Sequence, residues 1–178
     1  MKKLELVACI CTNGAIGKNG KQVYYIEEDL RHFKNLTTGG IVIMGHKTQN
    51  DLPIGYLPNR VNIVMTRDND LLKGEKYVAW EEGYYVNGVD NLEKLLDEKF
   101  ADVTVPIFVI GGQQVYESLL KYVYKIHLTV IYDHPEGCDT FLFLPKEDFD
   151  MIESTCWVRD FDNNVAFRFE TYERVNKC

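Results

Sequence analysis

At 178 residues, 46% hydrophobic and 26% charged, the chain is long enough for a substantial core and too apolar for a disordered polypeptide. A net charge of −7 argues against a nucleic-acid partner, since no basic stripe is present to neutralise phosphates. The amino-terminal Met1-Lys2-Lys3-Leu4-Glu5 loses its apolar run at Glu5; neither a signal peptide nor a membrane span is expected, and a cytoplasmic setting is.

The first predicted strand, Leu4–Cys11, places Cys9 and Cys11 on one face. The chain has five cysteines, which cannot all pair internally, and no Cys-x-x-Cys. His32, His46, His127 and His134 show no ligand spacing, so reduced thiols and no metal site are expected. Next comes a predicted helix over Glu27–Leu36. On a helical wheel Ile26, Leu30, Phe33, Leu36 and Thr37 form one arc, and Asp29 falls inside it. A carboxylate on a core-facing stripe is costly unless donors reach it, and burial raises its pKa. Such a group suits proton chemistry or a cationic, amidine-like ligand. The same residue also fits a partly solvated first turn favoured by the helix dipole.

Three predicted strands end in rims suited to a ligand. Ile41–Met44 runs into Gly45-His46-Lys47-Thr48, a glycine followed by a helix start. Val61–Thr66 leads into Arg67-Asp68, placing a hydroxyl and a guanidinium at its end. After a strand at Tyr77–Trp80 and a helix at Leu92–Phe100, the apolar strand Val105–Ile110 closes on Gly111-Gly112 and reopens as a helix over Gln113–Tyr122. Glycine there removes a side chain from the turn, and the N–H groups behind it suit a phosphate. Each rim alone is compatible with ordinary loop chemistry. Together they point to a dinucleotide site at the carboxyl ends of the strands.

A strand at Tyr124–Ile131 follows. Ile152–Val158 and Ala166–Val175, flanking Asp160-Phe161-Asp162-Asn163-Asn164, read as an antiparallel hairpin. This interleaving predicts one α/β domain over residues 1–178, with a mainly parallel central sheet, flanking helices and a C-terminal antiparallel hairpin.

Short pieces along the chain carry a resemblance through their order and spacing. They are Leu6-Val7-Ala8, Ala15-Ile16-Gly17, Asp29-Leu30-x-x-Phe33-Lys34 and Val42-Ile43-Met44-Gly45-x-x-Thr48. They continue with Leu57-Pro58-Asn59-Arg60, Val109-Ile110-Gly111-Gly112-x-x-Val115-Tyr116, Leu128-Thr129 and Cys138-Asp139-Thr140-Phe141. In this order they resemble the dihydrofolate reductase family over nearly the whole length.

The resemblance implies an oxidoreductase that passes hydride from NADPH to 7,8-dihydrofolate, giving tetrahydrofolate. It implies that Asp29 holds the pterin and promotes its protonation through water, with Thr129 in support. Val7, Ala8, Cys9, Leu30, Phe33, Leu52, Leu57, Ile110 and Tyr116 would line the folate pocket, and Arg60 would clamp the glutamate-tail carboxylate. Cofactor contacts would come from Ala8, Ile16, Gly17, Gly45, His46, Lys47, Thr48, Thr66, Arg67, Gly111, Gly112, Gln113, Gln114, Val115 and Tyr116. Arg67 would meet the 2′-phosphate, and a cis peptide would join Gly111 to Gly112. Lys18–Tyr24 would be the loop closing over the nicotinamide. Dihydrofolate and antifolate-type inhibitors are the expected partners of a monomer, with no nucleic acid and no membrane.

Four positions depart from the family pattern. Val23-Tyr24 stands where Pro-Trp is usual, so Tyr24 takes the aromatic place beside the catalytic water. His46 replaces an arginine, and Asn59 a glycine. Two other readings share the architecture: an NADPH-dependent pyrimidine reductase of riboflavin-type pathways, which should lack the pair Asp29 and Arg60, and a catalytically idle binding or structural protein.

Overall fold

The computed structural model describes residues 1–175. In chain order the elements are β1 (Leu4–Cys11), β2 (Ala15–Lys18), β3 (Lys21–Gln22), α1 (Glu27–Thr37), β4 (Ile41–Gly45), α2 (His46–Asn50), β5 (Val61–Met65) and α3 (Asn69–Leu72). They continue with β6 (Tyr77–Trp80), β7 (Gly83–Val86), α4 (Val89–Lys99), β8 (Ile107–Gly111), α5 (Gln113–Leu119) and β9 (Val123–Ile131). The last are β10 (Thr140–Phe141), β11 (Phe149–Ser154), β12 (Val158–Asp160) and β13 (Val165–Arg174). The chain divides into two compact units: Met1–Glu5 with Thr37–Val123, and Leu6–Leu36 with the segment from Tyr124 onward.

The first unit is the α/β part. Strands β8, β4, β5 and β7 pair in that order, all parallel, and β6 adds antiparallel to β7. Ile41, Val42, Ile43 and Met44 of β4 are all buried, as are Ile63, Val64 and Val109 on the neighbouring strands. That two-sided burial is why β4 and β8 read as unbroken apolar runs rather than alternating ones. Helices α2 and α5 pack against β4, and α4 against β6 and β7. The strand β7, with its two tyrosines, was not expected from the sequence. Its partners β5 and β6 make it a strand, not its own apolar pattern.

In the second unit β13 is the centre of an antiparallel set. β13 pairs with β9 and with both β11 and β12, while β10, β2 and β3 form a separate small sheet. The expected α/β class, with parallel strands and a C-terminal antiparallel part, is the one observed. The expected hairpin arm Ile152–Val158 is corrected, because the chain breaks between Ser154 and Val158 into two strands. The Thr155 hydroxyl there accepts from Phe169 N at 3.0 Å, taking a bond that a continuous ladder would have made. Cys11, Ala15, Ile26, Ile131 and Phe167 form this unit's buried cluster.

Among the described residues no helix is long and apolar enough to cross a membrane, and no group of His, Cys, Asp or Glu is placed to hold a metal ion. Cys9, Cys11, Cys138 and Cys156 are free thiols; Cys178 lies outside the described residues.

Candidate functional site

The acid singled out on the helical wheel is buried. Helix α1 opens with Glu27, Glu28 and Asp29, a charge placement that its dipole favours. Glu27 and Glu28 are exposed, whereas Asp29 keeps only 7% of its surface. Thr129, itself buried on β9, donates its hydroxyl to Asp29 Oδ1 at 2.5 Å. The Gln22 amide nitrogen lies 3.5 Å from the other oxygen, Oδ2, and the Cys9 thiol also hydrogen-bonds the carboxylate. Burial pushes the Asp29 pKa above its ordinary value, opposed by Thr129, Gln22, His32 and Cys9. The Cys9 thiol is pushed well above its own usual value, first by burial and then by the neighbouring Asp29 charge.

Around this carboxylate α1 presents Leu30, Phe33 and Leu36, all half-buried. An apolar arc that its own fold does not fully cover, with one buried acid in it, suits a flat ring carrying N–H donors. Val7 and Ala8 on β1 are buried and Cys9 beside them is half-buried.

Tyr24, the aromatic expected beside the catalytic water, is anchored through its hydroxyl. Its hydroxyl donates to the Asp133 carboxylate, and that bond, more than burial, holds the phenol proton up to about 12. Tyr24 packs on the cluster of Cys11, Ile26 and Phe167 and is committed to Asp133. Lys18–Tyr24 is not an open loop throughout: Lys18 pairs with Lys21 and Gly17 with Gln22 across a turn at Asn19-Gly20. Gly17 is explained within this small sheet, because a Cβ there would stand 3.1 Å from Thr140 Cβ. Ile16 beside it is half-buried.

In the first unit, the ends of β4 and β8 make a glycine-lined cradle. A Cβ on Gly45 would meet Val115 at 3.3 Å and lie 3.9 Å from Gly111 O and Gly112 N. Gly111 has φ +111°, and a Cβ on it would be 3.0 Å from the Tyr116 ring; only glycine combines that conformation with that closeness. The Gly111–Gly112 peptide is cis, and a Cβ on Gly112 would lie 3.5 Å from Thr48 Oγ1. Gly45, Thr48, Gly111, Gly112, Val115 and Tyr116 therefore converge. Gly45 and Gly112 also stand at the caps of α2 and α5.

The remaining expected contacts are more scattered in character. Lys47, Arg67 and Gln114 are exposed, while His46 and Gln113 are half-buried. The Gln113 amide donates to Glu117 of its own helix at 2.7 Å. Thr66 is buried, and its hydroxyl accepts from Asp68 N at 3.1 Å. Leu52, Leu57 and Ile110 are half-buried. Arg60 donates from Nε to Thr37 Oγ1 at 2.9 Å and from Nη1 to Pro58 O at 2.6 Å, which fixes the guanidinium plane.

Sequence reading missed Gln22, Asp133 and Asn62. Asn62 is fully buried; its Oδ1 accepts from Leu57 N at 2.9 Å, and its Nδ2 donates to Leu57 O and Arg60 O at 3.0 and 3.2 Å. It thereby shapes the segment carrying Leu57 and Arg60. A polar residue inside the apolar run of β5 was the available signal. Gln22 offered none.

Comparison with known proteins agrees over the full length. A family model described as dihydrofolate reductase matches residues 3–174. The dihydrofolate reductase HdrB of Haloferax volcanii is 34% identical, over 97% of this chain and 84% of that protein. The dihydrofolate reductase of Bacillus subtilis is 30% identical, over 97% and 95%. A bifunctional dihydrofolate reductase-thymidylate synthase of Daucus carota is 32% identical over 96% of this chain, which spans only 34% of that protein's length. A solved dihydrofolate reductase from Enterococcus faecalis, complexed with NADP(H) and RAB-propyl, superposes with a TM-score of 0.79 at 26% identity, covering 98% of this chain and 97% of that one.

Proposed function

This chain belongs to the dihydrofolate reductase family, whose members are NADPH-dependent oxidoreductases, and we propose that it reduces 7,8-dihydrofolate to tetrahydrofolate with Asp29 as the pterin anchor. The observation that carries this reading is the burial of Asp29 beneath a Thr129 hydroxyl, in a chain that one family model matches from residue 3 to residue 174. That match runs across both compact units and supports treating residues 1–178 as one functional domain.

Bound NADPH would supply the hydride that, together with a proton, turns the pterin C=N bond into CH–NH. The glycine turn of Gly45, Gly111 and Gly112 fits it, because Gly45 and Gly112 open α2 and α5 without a side-chain cap, which leaves first-turn N–H groups for a phosphate. Thr48, Val115, Tyr116 and the residues at the starts of α2 and α5 would hold it, with Arg67 on a phosphate. Asp29 binds the pterin amino group and ring N–H and, as an anion, favours protonation of the acceptor imine nitrogen by way of water. Thr129 keeps Asp29 pointed at the pterin. Leu30 and Phe33 pack on the ring system, and Arg60, pre-set by Thr37 and Pro58, takes the tail carboxylate. Tyr24 acts as a positioning residue through its anchor on Asp133. Antifolate-type inhibitors would compete for Asp29, and a monomer suffices for all these roles.

The direct test is purified protein with NADPH and dihydrofolate, following the loss of reduced-nicotinamide absorbance. The expected result is consumption of NADPH that needs dihydrofolate. No dihydrofolate-dependent oxidation would overturn the proposal.

A further inference from the structure

We propose that Gln22 is a further positioning residue of the reacting centre: its side-chain amide donates to Asp29 Oδ2, orients that oxygen, and ties the β2–β3 hairpin to the acid. The inference rests on the reading of Asp29 as pterin anchor and adds to it a residue outside α1, β1 and β9.

The two oxygens of Asp29 are served from different elements. Oδ1 accepts from Thr129 at 2.5 Å, while Oδ2 has the Gln22 amide at 3.5 Å. The second distance is the long end of hydrogen bonding, and contacts of this kind tighten when substrate closes the site. Of these two contacts, the one from Gln22 to Oδ2 is the looser.

The backbone that delivers Gln22 is built to one geometry. Gln22 pairs with Gly17 on β2, and Gly17 pairs in turn with Thr140 on β10. The intervening Asn19 and Gly20 both have positive φ, 51° and 79°. These are the torsions of a two-residue primed turn, which matches the twist of a hairpin. Asn19 N donates to Asp139 Oδ2 at 2.7 Å, and Lys18 Nζ to Glu136 O at 2.9 Å. The hairpin is therefore pinned at its far end, and Gln22 reaches Asp29 from its near end. Gln22 is an exposed residue, so core packing does not force its amide toward the acid.

The chemistry of the contact has a definite sign. An amide N–H near a carboxylate favours the anion and opposes the burial that raises its pKa. The other groups facing Asp29 are the Cys9 thiol from β1, the Thr129 hydroxyl from β9 and His32 from α1. His32 is itself stacked on Phe169 at 4.2 Å and faces His127 and Glu153. Among these groups Gln22 is the one that comes from the hairpin, so it links the charge state of Asp29 to the hairpin's position.

Gln22→Met keeps the length and removes the amide, and Gln22→Glu places a like charge beside the acid. Two readouts apply: the pH dependence of turnover, and the NMR titration of the Asp29 carboxyl in ligand-free protein. Loss of the donor raises the Asp29 pKa, so the Gln22→Met carboxyl titration moves up by about half a unit or more, and the pH at which turnover halves moves up with it. Gln22→Glu moves both further in the same direction. A Gln22→Met carboxyl titration that superimposes on the parent's would overturn the inference whatever the activity. Asp29→Asn separates the two claims. If it loses turnover at neutral pH while Gln22→Met keeps the parental profile and titration, Gln22 falls and Asp29 stands. If Asp29→Asn keeps full turnover, the pterin-anchor reading falls, and the NMR titration still decides the Gln22 contact.

Discussion

Thr129 donates its hydroxyl to Asp29 Oδ1 across 2.5 Å, joining β9 to the first turn of α1 over a hundred positions of sequence. Both residues are buried, so the bond operates where water cannot replace it. Thr129→Val keeps the shape and removes the donor. It should destabilise the fold by about 1–3 kcal/mol and raise the pKa of Asp29 further. Urea unfolding together with a pH profile of turnover checks both effects. A variant as stable as the parent, with the parental profile, would mean that the bond is incidental.

Asp29 itself should cost the fold stability at neutral pH. Its folded pKa lies above the ordinary value, with burial the largest cause. The folded state therefore binds the proton more tightly than the unfolded chain does. The stabilising contribution is present below the unfolded pKa of about 3.9 and is lost as pH rises through the folded value. Asp29→Asn carries no charge to bury, so at pH 7 it should be more stable by about 1 kcal/mol, or roughly 2–4 °C in Tm. The gap should close in acid. Thermal melts across pH decide this, and a variant less stable than the parent at pH 7 would contradict the sign.

Arg60 is held by Thr37 and by Pro58 O, which presents its guanidinium as a fixed plane suited to a carboxylate. Arg60→Leu should raise KM for dihydrofolate about tenfold or more with a smaller change in kcat. Steady-state kinetics with dihydrofolate and with a pterin lacking the glutamate tail separates the roles. An equal effect on both substrates would place the tail elsewhere.

Arg67 is exposed just beyond β5, where a mobile cation can meet a phosphate without a desolvation cost. Arg67→Ala should narrow the preference for NADPH over NADH by about tenfold, chiefly through the KM for NADPH. An unchanged ratio of kcat/KM for the two cofactors would clear Arg67 of that task.

Much of this is legible in the amino-acid sequence. Residues Ile107–Gly111 announce a two-sided strand by lacking polar side chains, and the glycines after it announce close approach. Asp29 was legible because a helical wheel shows what surrounds a residue on its own helix. What the wheel could not show was what comes from other elements. The Thr129 hydroxyl was expected only from family resemblance. The Gln22 amide depends on a hairpin whose strands β2 and β3 are too short to carry a pattern. Strand β7 owes its state to its neighbours, and the break before Val158 to one Thr155 hydroxyl. Asn62 left a visible sign, a polar residue in an apolar strand, whose meaning lies in the loop that it braces. Tyr24 was read by analogy with a tryptophan; its hydroxyl gives it a tie to Asp133 that an indole would not make in the same way.

The most direct measurement is the rate of hydride transfer from NADPH to dihydrofolate in Asp29→Asn, followed through a single turnover from pH 7 down to pH 5. The carboxylate promotes protonation of the pterin, so its loss should slow the step at pH 7 by about a hundredfold or more. The rate should recover partly in acid, where substrate arrives already protonated. A variant that transfers hydride at pH 7 as fast as the parent would contradict the account.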